Sequence, residues 1–231
     1  MTETVRAEGV VADVDHPEGA ARGLVILAHG AGSDRESVLL TTLSASLTGI
    51  GLVVARIDLP YRQQRPKGPP SPSKAPADRD GIRKAVAALR HRAGSGPVIV
   101  GGQSYGGRQA SMVVADDPGL ADGLLLTSYP LHPPGKPEKQ RTEHLPDITT
   151  PTVIIHGRSD AFATSDEMAA AARLFAGPVH VVEVDKADHS LKPGKSDVGE
   201  LTAAAVEKYL LSTGSRSGSI PGSGMSSRSG A

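Results

Sequence analysis

The chain of 231 residues carries 25 Lys and Arg against 25 Asp and Glu, so its formal charge is zero and no charge excess calls for nucleic acid or an anionic membrane. It has no cysteine, which excludes disulfides, thiolate nucleophiles and Cys-bound zinc and leaves catalysis to oxygen and nitrogen groups. Residues 1–14 lack an apolar signal core and no window holds the roughly 18 apolar residues of a membrane span, so one cytoplasmic domain is expected.

Residues 5–14 alternate loosely, as an antiparallel edge strand or hairpin would, and residues 23–28 form the first continuous apolar run, a buried central strand. A helix over 37–47 closing at Gly49 and a strand over 52–57 complete one βαβ unit. Residues 60–76 are dense in proline and read as an irregular surface excursion, without helix or central strand. Next come a helix over 78–92, a strand over 97–100, a helix over 105–115 and a strand over 124–127. A second proline-rich stretch, 129–151, precedes strand 152–155, helix 165–175, strand 179–184 and helix 196–211. This alternation predicts an α/β fold: a mainly parallel sheet of seven or eight strands with helices on both faces, spanning 1–211. Residues 212–231 are Ser/Gly-rich and are expected to form a flexible tail.

Gly102-Gln103-Ser104-Tyr105-Gly106 fits G-x-S-x-G between a predicted strand and helix, the context of a nucleophile elbow that exposes a serine hydroxyl. A serine hydroxyl needs a base to take its proton and a partner to orient that base, and on such sheets the acid and then the histidine follow the serine. Of the histidines that follow both Ser104 and the strands that could carry the acid, His180 lies within a strand and His156 at a strand end, whereas His189 falls in a loop after the last strand. His189 is therefore the expected general base. Asp160 emerges after strand 152–155 at the same sheet edge as Ser104 and is favoured as the acid over Asp166, whose place in a helix first turn has a structural reason. Oxyanion donors would be the backbone N–H groups of Tyr105, after the nucleophile, and Ala31, in the loop after the first central strand. His29 is expected to be structural, Arg108 to pair with a carboxylate or cap carbonyls, and His132 either to line the pocket or to fix its loop.

With these residues placed, the chain resembles the α/β-hydrolase superfamily over about residues 5–211, and within it the dienelactone-hydrolase-like small hydrolases. The phrases Leu27-Ala-His-Gly-Ala-Gly32, Arg56-Ile-Asp-Leu-Pro-Tyr61, Gly101-Gly-Gln-Ser-Tyr-Gly-Gly-Arg108 and Tyr129-Pro-Leu-His-Pro-Pro-Gly-Lys-Pro137 are similar to the small family of the testis-expressed protein and a subunit of the NSL acetyltransferase complex. His144-Leu145, Gly157-Arg-Ser-Asp-Ala-Phe162 and Asp188-His-Ser190 extend that likeness, so Ser104, Asp160 and His189 each fall within a family phrase.

The expected activity is hydrolysis of a small carboxylic ester or related acyl compound through an acyl-serine intermediate, with no cofactor and no metal. Alternatives are a non-catalytic binding or scaffold protein of the same fold, and an acyltransferase or peptidase using the same triad. With no room for a large cap, the pocket should be shallow and bordered by loops 66–76 and 131–146. Aromatics make up 3% of the chain and include no Trp, which leaves little for stacking a sugar or a base. The lean toward Ala, Gly, Arg and Pro fits a GC-rich bacterial source.

Overall fold

Successive side chains of a strand point to opposite faces, and the central strands of this chain are apolar on both. In the computed structural model, which describes residues 1–211, they form one eight-stranded sheet. The expected tail, 212–231, lies outside the described residues. A hairpin of β1 (Thr2–Ala7) and β2 (Val10–Asp15) comes first, turning at Glu8 and Gly9, both with positive φ as a two-residue hairpin loop demands. The sheet order is β1-β2-β4-β3-β5-β6-β7-β8, with β3 (Leu24–Ala28), β4 (Val53–Ile57), β5 (Val98–Gln103), β6 (Gly123–Thr127), β7 (Thr152–Gly157) and β8 (Val179–Val184) mutually parallel.

Alternation then builds two cores. Ile26, Val100, Leu124, Leu126 and Ile154 face α3 (Ala75–Leu89) and α4 (Tyr105–Asp116), while Val25, Leu27, Ile99, Leu125 and Val153 face α1 (Val38–Gly49) and α6 (Val198–Val206). Truncating any one of these leucines to alanine costs about 2–5 kcal/mol by general experience with such sites. Ser37 caps α1, accepting from the Leu40 N–H, and Thr164 with Glu167 forms a reciprocal capping box on α5 (Ser165–Ala172).

The first proline-rich stretch departs from expectation. Pro60 starts a short helix, α2 (Pro60–Gln64), and α3 begins at Ala75 with a proline in its first turn. Proline has no N–H, and the first helical turn needs none, so these prolines start helices where they were read as excluding them. At the other end, the helix expected over 196–211 is α6 followed by a π-helical turn, Glu207–Leu211.

From β3 the chain crosses to β4 on one side; from β5 it crosses to β6 on the other. Parallel strands whose connections diverge leave a crevice at their carboxyl ends, and Ser104 stands there.

Candidate active site

The elbow exists because the backbone turns from β5 into α4 without room for side chains. A Cβ on Gly102 would lie 2.0 Å from the Ala28 carbonyl oxygen, and one on Gly106 would lie 2.5 Å from the same atom. Ser104 itself sits at φ 48° and ψ −111°, a conformation a non-glycine residue rarely holds, pinned by its N–H to the Thr127 carbonyl at 2.9 Å.

Three side chains meet at this edge of the sheet. His189 Nε2 lies 2.9 Å from Ser104 Oγ, and its Nδ1 lies 2.7 and 2.9 Å from Asp160 Oδ2 and Oδ1. The carboxylate can only accept from Nδ1, so Nδ1 carries the proton and Nε2 is left to accept from the serine. Asp160, 6% exposed, takes a further bond from the Phe162 N–H at 2.8 Å. The Phe162 ring stacks on the His189 imidazole with centroids 3.9 Å apart. Asp166 is exposed in the first turn of α5 and His180 stacks on Tyr209, so the structure brings neither to the serine. His156 is fully buried, and burial holds its basicity below the usual imidazole range.

The two expected oxyanion donors also lie at this edge. Ala31 lines the same cavity as Ser104, and the Tyr105 N–H opens α4; neither N–H has an acceptor among the described residues. The loop carrying Ala31 is tied down by residues far away in sequence. His29 accepts from the Leu59 N–H at 3.2 Å and donates from Nδ1 to the Gly30 carbonyl at 2.9 Å; burial lowers its pKa, so it remains neutral. Arg62 donates to the carbonyls of Ser33, Arg65 and Gly68 at 2.6, 3.0 and 3.1 Å, and Arg35 clamps Asp13 and Asp58. Fully buried Asp78 accepts from the Tyr105 hydroxyl at 2.7 Å and from the Tyr61 N–H at 3.0 Å, joining α2, α3 and the elbow helix. Asp78 and Phe162 were not singled out from the sequence, since a helix carboxylate and a loop phenylalanine look ordinary there.

The cavity of about 510 Å³ is lined by residues of 30–39, by Ser104 and by Phe162, His189 and Lys192. Neither proline-rich loop borders it. Residues 60–68 are held against the loop bearing Ala31 by Arg62 instead, and His132 fixes its own loop, bonding the Pro133 carbonyl and Glu167 at 2.9 and 3.2 Å. Arg108 meets neither expectation: among the described residues no carboxylate and no carbonyl takes its guanidinium, and its Nε is buried without a partner. Among these residues no group of three or more His, Asp or Glu side chains is placed to hold a metal ion, and no helix is long and apolar enough to cross a membrane.

Residues 21–211 match the model of an alpha/beta hydrolase domain. The chain belongs to the alpha/beta hydrolase family. Solved structures agree on the fold: a dienelactone hydrolase from Anabaena variabilis is 20% identical with a TM-score of 0.70, covering 91% of this chain and 98% of its own. Est1E from Butyrivibrio proteoclasticus is 16% identical with a TM-score of 0.70 over the same shares. A serine hydrolase without lid from Xanthomonas campestris is 15% identical with a TM-score of 0.63, covering 90% of this chain and 94% of its own. The hydrolase membership is thus a property of the chain; which bond it cleaves is a separate question.

Proposed function

We propose that this hydrolase cleaves a small carboxylic ester through an acyl-serine intermediate, with Ser104 as nucleophile, His189 as general base and acid, and Asp160 holding the histidine tautomer. The single observation that carries this reading is the continuous hydrogen-bonded line from Ser104 Oγ through His189 to Asp160, with contacts of 2.9 and 2.7 Å. His189 Nε2 takes the hydroxyl proton as Oγ attacks the carbonyl carbon, and the oxyanion is met by the N–H groups of Ala31 and Tyr105. The proton passes from Nε2 to the departing alkoxide, and a water activated by the same nitrogen then releases the acid. The open cavity and absent cap favour a small acyl group, which agrees with similarity to a dienelactone hydrolase and to Est1E. The finer likeness to the testis-expressed and NSL-subunit family, and a cytoplasmic setting, belong to the same proposal.

The test is labelling by a fluorescent fluorophosphonate, followed by turnover of p-nitrophenyl esters of increasing chain length. Labelling of the wild type, lost in Ser104→Ala and weakened in His189→Ala, is expected. A folded wild-type protein that takes no label would return the scaffold reading to first place.

A further inference from the structure

One turn along α4 from the serine, the structure holds a group of polar side chains that the triad does not use. Arg108, whose N–H bonds the Ser104 carbonyl at 2.9 Å, is half-buried, and its Nε has neither solvent nor a partner. Arg141 arrives from the second proline-rich loop, its backbone fixed by the Leu131 carbonyl at 2.8 Å and by the Tyr129 hydroxyl at 2.7 Å. One of its five N–H groups is used, by the Pro130 carbonyl at 3.1 Å. No carboxylate lies within 4.0 Å of either guanidinium among the described residues; Glu143, the nearby acid, is exposed.

The surroundings are rigid. Fully buried Ser111 donates to the Arg108 carbonyl at 2.9 Å, so its oxygen accepts from His144 Nε2 at 2.8 Å. That contact fixes the proton on Nε2 and docks residues 142–145 onto α4. Burial first, and the Arg108 charge second, push the His144 pKa down to about 4, so the imidazole stays neutral and adds no third positive charge. Repulsion between the two arginines similarly adds to the desolvation that lowers the Arg141 pKa. Guanidinium groups keep their protons in proteins. Two of them, half-buried, without a carboxylate partner and brought into the same neighbourhood by the docking of 142–145 on α4, cost free energy unless an anion joins them.

We propose that Arg108 and Arg141 form a binding site for an oxyanion, a carboxylate or phosphate group, that is separate from the triad. A guanidinium fork matches the oxygen geometry of such a group and supplies charge-assisted bonds to it. The oxyanion can come from a free ion or from a distal acid group of the substrate, since Arg108 follows Ser104 by one turn of α4.

Calorimetric titration at constant ionic strength with inorganic phosphate, and separately with acetate, tests this on the full chain. Saturable binding of one of them by the wild type and by Ser104→Ala is expected, weakened about ten-fold or more in Arg108→Gln and in Arg141→Gln, as the loss of a charge-assisted bond implies. Arg83→Gln, which removes an equal charge from an arginine paired with Asp80 and Asp116, should bind as the wild type does. If Arg108→Gln does not fold, Arg141→Gln decides, because its side chain gives up one bond only. Inhibition by phosphate of turnover of an ester bearing a free acyl carboxylate, but not of a neutral ester, identifies the substrate's acid as the source; binding without competition identifies a free ion. No saturable heat with either anion, or equal binding by both arginine variants and the wild type, would overturn the site.

Discussion

Arg62 on α2 and Arg108 on the elbow helix differ in a way that separates framework from proposed binding surface. Arg62 is 7% exposed and spends its guanidinium on three backbone carbonyls, so the loop bearing Ala31 and the first proline-rich stretch are held as one piece. Among the described residues Arg108 spends its guanidinium on no protein group, although Ser111 and His144 fix the helix and the loop beside it. A buried cation that meets backbone acceptors holds its surroundings together; a half-buried one with none is costly until something binds it. The two proline-rich stretches, alike by composition, thus serve different ends.

The triad gives the scale for that comparison. Ser104→Ala is expected to lower kcat for p-nitrophenyl acetate by about 10⁴-fold or more, with the melting temperature little changed, because alanine keeps the Cβ and the positive φ of the elbow and only the hydroxyl's bond to His189 is lost. Asp160→Asn should cost about 10³–10⁴-fold in kcat, since an amide can hold the imidazole in the wrong tautomer; kinetics across several esters would check that the loss falls on kcat rather than KM. Arg62→Met leaves the Ser33, Arg65 and Gly68 carbonyls short of a donor, so urea unfolding should report a loss of about 2–3 kcal/mol. Arg108→Met removes no contact of the guanidinium among the described residues and relieves an unpaired charge, so stability should hold or rise by up to about 1 kcal/mol. An equal loss in the two variants would break the comparison.

The smallest expected effect comes from His132. Its bond to the Pro133 carbonyl, and then Glu167, raise its pKa above the ordinary 6.5, while the bonds from Thr164 and then His132 lower that of Glu167 below the ordinary 4.5. Stability from a raised histidine is present below pH 6.5 and lost as pH rises through the raised value; stability from a depressed carboxylate is present above 4.5 and lost in acid. The link between the second proline-rich loop and α5 is therefore strongest at about pH 5–6. Melting temperatures of wild type and His132→Gln, compared at pH 5.5 and 8, should differ more at the lower pH.

Much of the fold follows from local pattern. Continuous apolar runs mark strands buried on both faces, the Glu8-Gly9 turn joins an alternating pair, and glycines around Ser104 mark a backbone crossing too tight for side chains. The prolines of 60–76 misled because the same residue that breaks a helix interior also starts a helix, and only the length of chain available for α2 and α3 decides between the two.

The sequence by itself determined the order of the groups from which the proposed triad is drawn: a serine in an elbow, an aspartate after the next but one strand, and a histidine after the last. Only the tertiary structure decided that Ser104 and His189, 85 residues apart, come within 2.9 Å, because that distance depends on strand register and loop length rather than on any local preference. It also decided that Asp78 joins Tyr61 and Tyr105, that Phe162 stacks on His189, and that Arg108 finds no carboxylate among the described residues. Periodicity records which face of an element is buried; which polar group meets which across the sheet edge is set when the whole chain closes.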